Sequence, residues 1–373
     1  MPFNIICLLV CLFIFNGCAL TRTEVQTSRE PQNHAFVKAN HTAIDYFGRY
    51  EWRGSTPVST WPGSGLRFLT DASELSIVFD DRLGKNFYNV FIDKNYAKAQ
   101  ILELEQGHQV MRIELPIQTS LDRESVLVEI FRRTEGQDGE TIIEGFHTNQ
   151  NASFTAAPPL PDRRIEIYGD SITTGMGNEA PLDAPDDKRR DKNNFMAYGS
   201  IAARMLNAQV MNTSQSGIGV TTSWFDYTMP DLYRQSNAHF VNASRWDFTL
   251  YPADLVIINL FQNDSWLIEK NLNPVPNGQQ IVEAYVQFVE KLLPHYEHAT
   301  FLFLLGSMDA VAPTSKWPAY VQHAEAMLAE SHPHRSFDSL ILPYQGYDKH
   351  PRRAEHKANA LLLARHVTQL MNW

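Results

Sequence analysis

The chain has 373 residues, of which 43% are apolar, 20% charged and 11% aromatic; this excludes a disordered chain and leaves room for about two domains of roughly 100–200 residues each. A net charge of -10 argues against nucleic acid or an anionic membrane surface as the main partner, because both require concentrated Lys and Arg. A neutral, sugar-like ligand suits this surface better.

Residues 1–18, MPFNIICLLVCLFIFNGC, form an apolar run too short and too early for a membrane span and read as a secretion signal. Phe15-Asn16-Gly17-Cys18 looks like a bacterial lipoprotein cleavage box with Cys18 as the lipidated residue, although Phe15 and Asn16 depart from the usual box and no Lys or Arg precedes the run. The other reading is an ordinary signal cut a few residues later. Either way the protein is expected to be exported, as a periplasmic or outer-membrane lipoprotein or as a secreted protein. All three cysteines, Cys7, Cys11 and Cys18, fall in this segment, so the mature chain would carry no disulfide, no thiol nucleophile and no cysteine zinc site. Residues 19–35 are polar and aperiodic and read as a tether.

From about Phe36 to Phe154 short alternating runs recur at Leu75–Phe79, Tyr88–Ile92, Gln109–Leu115 and Ser125–Phe131, broken by Gly, Asp and Asn. A period of two with no helical stretch between predicts an antiparallel β-sandwich over residues 36–155. Pro158, Pro159 and Pro161 then interrupt strand and helix patterns alike and mark a boundary. Over residues 160–373, apolar strands at Arg164–Tyr168, Ala208–Asn212, Leu255–Leu260 and Thr300–Leu305 alternate with helical periods at Tyr198–Leu206, Ile281–Leu293, Tyr320–Glu330 and Glu355–Met371. The second domain is therefore predicted to be α/β, with a parallel sheet covered on both faces and its ligand beyond the carboxyl ends of the strands.

The residues just after those strands carry the chemistry. Tyr168-Gly169-Asp170-Ser171 ends the first strand and opens a helix, which would expose the Ser171 hydroxyl in the crevice with first-turn amides aimed at developing negative charge. Asp170 and Ser171 are equally good helix caps. After the second strand, Gly217 in Ser214-Gln215-Ser216-Gly217 offers an unobstructed backbone amide, or is a plain turn glycine. After the third, Asn263 in Phe261-Gln262-Asn263-Asp264 offers a side-chain amide, or is half of a cap pair with Asp264. His350, in Tyr347-Asp348-Lys349-His350-Pro351 before the last helix, could take a proton from Ser171 and return it to a leaving alkoxide.

These four segments, in this order, resemble the SGNH (GDSL-like) hydrolases, in which such blocks supply the nucleophile, a glycine amide, an asparagine amide and a histidine with a nearby aspartate. The resemblance implies Ser171 as nucleophile, an oxyanion hole from Ser171, Gly217 and Asn263, and His350 as base with Asp348 as the third member. Trp61-Pro62-Gly63-Ser64-Gly65-Leu66-Arg67-Phe68, Arg132-Arg133-Thr134-Glu135-Gly136 and Thr228–Tyr233 before Trp246-Asp247-Phe248 further resemble the two-domain carbohydrate esterases of family two. Those carry a jelly-roll domain before the SGNH domain and remove acetyl groups from polysaccharides such as xylan or mannan. A deacetylase that needs no metal or cofactor is implied, with an acetylated carbohydrate as its partner. The chain departs from the pattern at Phe261, where glycine is usual, and at Gln262, where a small residue is common, which suggests an entrance beside Asn263 that is narrower or shaped for another acyl or sugar group. It departs again at Tyr347, three before His350, where aspartate is usual.

Two other functions compete: a lipase, lysophospholipase or thioesterase on the same machinery, and a non-catalytic glycan-binding lipoprotein. Trp266 reads as a sugar-stacking ring or a core anchor, and Trp61, Trp224 and Trp246 share that ambiguity. His356 reads as exposed, and Asp186–Lys192 as a solvated charged loop over the site.

Overall fold

Twelve short strands between His34 and Thr155 pair only with antiparallel neighbours: β1 (His34–Lys38), β2 (Asp45–Phe47), β3 (Tyr50–Arg53), β4 (Thr56–Ser59), β5 (Gly65–Thr70), β6 (Leu75–Asp81), β7 (Phe87–Ile92), β8 (Gln100–Glu103), β9 (Gly107–Ile113), β10 (Val126–Arg132), β11 (Thr141–Asn149) and β12 (Phe154–Thr155). The computed structural model describes residues 34–116, 125–239 and 244–373; the signal segment, Cys18 and the tether up to residue 33 lie outside the described residues. One sheet runs β3-β4-β11-β6-β9 with β1 also on β11, and the other runs β12-β5-β10-β7-β8 with β2 also on β5. Alternate residues point inward, among them Ile77 and Phe79 of β6, Tyr88 and Val90 of β7, and Val128 and Ile130 of β10, to form one shared core. Each large side chain so buried is worth roughly 1.5–3 kcal/mol, which fixes the register of every strand that contributes one.

The α/β part follows as β13 (Arg163–Gly169), α1 (Ser171–Thr174), α2 (Tyr198–Met205), β14 (Ala208–Ser214), α3 (Met229–Leu232), β15 (Leu255–Asn259), α4 (Gln262–Asn271), α5 (Gly278–Leu292), β16 (Thr300–Leu305), α6 (Trp317–Ser331), β17 (Phe337–Ile341) and α7 (Arg353–Met371). The five strands are parallel in the order β14-β13-β15-β16-β17. Successive residues of β15 alternate between two cores: Leu255 and Ile257 pack with α2 and α7, Val256 and Ile258 with α5 and α6. Both faces being covered explains the unbroken apolar runs. The chain leaves β13 for β14 on one side and returns to β15 on the other, so the crevice opens beyond the ends of these three strands.

The two parts are bolted together by charge. Arg49 of the sandwich and Glu166 of β13 are both 0% exposed and paired at 2.7 Å. Tyr296 Oη and Thr213 Oγ1 also donate to Glu166, and Arg49 Nη1 reaches the carbonyls of Tyr233 and Gln235. Trp61 is buried beside them, with Nε1 on the Ser236 carbonyl and Arg49 over its ring. Among the described residues no helix is long and apolar enough to cross a membrane.

Candidate active site

Ser171 opens α1 directly after β13, with Asp170 as the N-cap accepting the Ile172 amide at 3.0 Å. The cap reading is met by Asp170, and Ser171 follows it as the first helical residue. Ser171 is 3% exposed, and its own amide, first in the helix, has no intrahelical partner. Asp170 is fully buried with Oδ2 unpartnered; burial raises its pKa to about 7, with the Asp264 carboxylate adding to the shift.

Gly217 follows β14 at φ 85°, a left-handed conformation that glycine adopts without strain. Its carbonyl accepts the Trp224 amide. Asn263 in the first turn of α4 donates Nδ2 to the Ile218 carbonyl at 2.9 Å, which leaves its second amide hydrogen for a ligand. Asp264 next to it, fully buried, accepts from the amides of Val220, Thr221 and Thr222. Its burial pushes the pKa up. The Gly217–Thr222 loop is thereby tied to α4, and the Gln215 amide ties it to the Gly169 carbonyl before Ser171. Ser171, Gly217 and Asn263 thus come together at three adjacent strand ends.

His350 enters from the loop before α7. Its ring Nδ1 lies 3.0 Å from Asp186 Oδ2, and its backbone amide donates to the same oxygen at 2.8 Å. The His350 hydrogen bond, with Arg352 nearby, holds the Asp186 carboxyl far below the usual carboxylate range. Asp186 packs on Gly177 just past α1, where a Cβ would lie 2.5 Å from the Asp186 Cβ. Lys349 Nζ and Arg352 Nη2 hold the carbonyls of Ala184 and Pro181. These contacts tie the His350 loop to the segment 177–186 that follows α1; among the described residues no hydrogen bond joins His350 to Ser171.

The charged run from Asp186 is solvated over residues 187–190, which are exposed, and is anchored at its two ends. Lys192 is buried between Glu135 and Asp138, Arg189 pairs with Asp138, and Arg133 Nη2 reaches Glu179 and the Arg190 carbonyl. Among the described residues no group of three or more His, Cys, Asp or Glu is placed to hold a metal ion. A cavity of about 330 Å³ lies between the sandwich and α2, lined by Phe91, Phe131, Phe195, Arg67 and Arg204; none of the candidate residues borders it.

Residues 46–158 match the family model described as "Carbohydrate esterase 2 N-terminal". The chain is 28% identical over 320 residues to the acetylxylan esterase / glucomannan deacetylase of Cellvibrio japonicus, covering 84% of each protein. The chain resembles the family-two carbohydrate esterases. The structure of such an esterase from Clostridium thermocellum, in complex with cellohexaose, superposes with a TM-score of 0.78 at 25% identity, over 88% of this chain and 99% of that one. A second, from Cellvibrio japonicus, gives 0.80 at 24% identity over 91% and 99%.

Against the family-two esterase pattern, three expectations change. Asp348 is exposed, with no hydrogen bond or ion pair among the described residues; the carboxylate on His350 comes from Asp186, 164 residues earlier. Phe261 adopts a left-handed φ of 88°, a cost of about 1–3 kcal/mol for a non-glycine residue. Its ring is fully buried against Tyr285 and Trp317, so it fills the core and does not narrow the entrance. His356 is buried, not exposed: Nδ1 accepts the Tyr198 amide and burial lowers its pKa to about 3.

The tryptophans also sort themselves. Trp266 is half-buried, packed against the core that holds α2 and α7, with Nε1 on Asp309 Oδ2 at 2.6 Å. Trp224 is 61% exposed, and its ring edge would lie 3.3 Å from a Cβ on Gly217. An exposed aromatic after a strand end was the available signal for Trp224; nothing local marked Asp186.

Proposed function

We propose that this protein is a serine esterase that removes O-acetyl groups from a carbohydrate through an acetyl-enzyme. Ser171 Oγ attacks the acetyl carbonyl carbon while His350 Nε2 takes its proton. The oxyanion receives the Ser171 amide, the Gly217 amide and the free hydrogen of Asn263 Nδ2. His350 then protonates the leaving sugar oxygen, and the same residue activates the water that releases acetate. Asp186 fixes the Nδ1–H tautomer and stabilises the imidazolium.

The observation that supports this reading is the placement of Ser171, Gly217 and Asn263 just after three adjacent strands, with a histidine held by the Asp186 carboxylate in the loop before α7. The substrate class rests on the acetylxylan esterase and glucomannan deacetylase named among the relatives. Trp224 beside Gly217 supplies a ring for a sugar face. Ser171→Ala should abolish turnover of p-nitrophenyl acetate and release of acetate from acetylated xylan or mannan while the protein stays folded; full activity in that variant would sink the proposal. Export with a lipid on Cys18 belongs to the same reading, and Cys18→Ala should move the protein from the membrane fraction to the soluble one.

A further inference from the structure

The Arg132–Gly136 segment takes no part in the reaction just described, yet it is heavily bonded. The buried Arg132 guanidinium donates to the carbonyls of Ser59, Thr134, Glu135 and Gly139 and to Asn86 Oδ1. So many satisfied acceptors make the turn from Thr134 to Gly139 rigid. Glu135, 0% exposed, receives Lys192 Nζ on one side. On the other it crosses into the α/β domain, where Oε2 accepts the Ser216 amide at 2.5 Å and Oε1 the Ser216 hydroxyl at 2.7 Å. Two residues on, Gln137 Nε2 donates to the Ser216 carbonyl at 2.5 Å. All three polar groups of Ser216 are held by one loop of the sandwich.

Ser216 precedes Gly217 through a trans peptide. In that planar unit the Gly217 N–H points opposite to the Ser216 carbonyl, so holding the carbonyl fixes the direction of the N–H. A glycine on one side would otherwise let the peptide turn at little cost. Ser216 Oγ also meets Thr174 Oγ1 at 3.1 Å, and Thr174 Oγ1 donates to the Ser171 carbonyl; the same anchor registers the amide against the nucleophile's helix.

We infer that Glu135 and Gln137 are positioning residues that hold the Gly217 amide in its oxyanion orientation, so that the sandwich domain takes part in transition-state stabilisation without touching substrate. The inference rests on the esterase reading above. Removing an oxyanion donor costs about 10²–10³ in rate, and a donor left free to turn loses part of that, so kcat should fall about tenfold in Gln137→Ala and about 100-fold in Glu135→Gln with KM unchanged. Affinity for methylboronic acid, which forms a tetrahedral adduct on a serine, should fall by the same factor as kcat/KM. Gln137 is exposed, so its variant should keep the wild-type melting temperature. Unchanged kcat in both folded variants, or a loss carried by KM alone, overturns the inference while a wild-type activity that depends on Ser171 leaves the esterase reading standing. A wild-type protein without esterase activity overturns both.

Discussion

Replacing Asp186 by Asn tests which carboxylate serves His350. Asp186 Oδ2 accepts from both the His350 amide and the ring Nδ1. An Asn can still offer its carbonyl oxygen, but it carries no charge to stabilise the imidazolium, and turned over it donates to Nδ1 and forces the wrong tautomer. In a fully buried triad that exchange costs about 10⁴ in kcat. The Asp186 side chain is 23% exposed and Arg352 Nη1 lies 3.5 Å from the same oxygen, so water and the guanidinium already weaken its field at the ring. We therefore expect D186N to lose about 10²–10³ in kcat for p-nitrophenyl acetate at pH 7, with KM within about threefold of wild type. D348N, altering an exposed and unpaired carboxylate, should stay within about twofold in kcat. Wild-type kcat in D186N together with a large loss in D348N would refute the assignment.

Three further outcomes are expected. Asp170 has its pKa raised by burial to about 7 against about 3.9 unfolded, so its stabilising contribution is complete below about pH 4 and is lost as pH rises through 7, by about 4 kcal/mol in all. The drop in melting temperature between pH 5 and pH 8 should be smaller in D170N, and parallel curves for the two proteins would count against the shift. Arg49→Ala leaves Glu166 buried and unpaired and should destabilise by about 3–5 kcal/mol in urea unfolding, with Glu166→Gln recovering part of the loss in the double variant; a single variant as stable as wild type would contradict this. Trp224→Ala should raise KM for an acetylated oligosaccharide about tenfold and leave that for p-nitrophenyl acetate unchanged, and equal effects on both would remove Trp224 from the sugar site.

The central strands were legible because burial on both faces leaves unbroken apolar runs, as in Leu255–Asn259 and Thr300–Leu305. The positions of Ser171, Gly217 and Asn263 just past strand ends, and of His350 before the last helix, were legible because each lies where an apolar run stops. Strand β11 was missed, since Gly145 and the register shift after Ile143 interrupt its alternation. Helix α4 was missed too: it begins from a left-handed Phe261 and has no clear apolar stripe. Asp186 lay within a run of charges whose local composition looks solvated, and only tertiary pairing with His350 gives it a role. His356 reads as polar and surface-bound until Tyr198 is seen to close over it, the two rings parallel and 6.2 Å apart.

The Arg49–Glu166 pair also dictates how the molecule can be made. Its members are 117 residues apart, and the sandwich leaves whatever exit the chain uses well before β13 does. Until then Arg49 has no carboxylate, and Phe91 and Phe131 lack the Phe195 ring that later covers them. Cutting the gene at the Pro158–Pro161 seam would give one fragment with a stranded guanidinium and an uncovered aromatic patch, and another with a carboxylate in an interior strand that has lost its cation. The seam visible in the primary structure is not a seam in the fold, where the chain from Asn33 to Trp373 forms one compact unit.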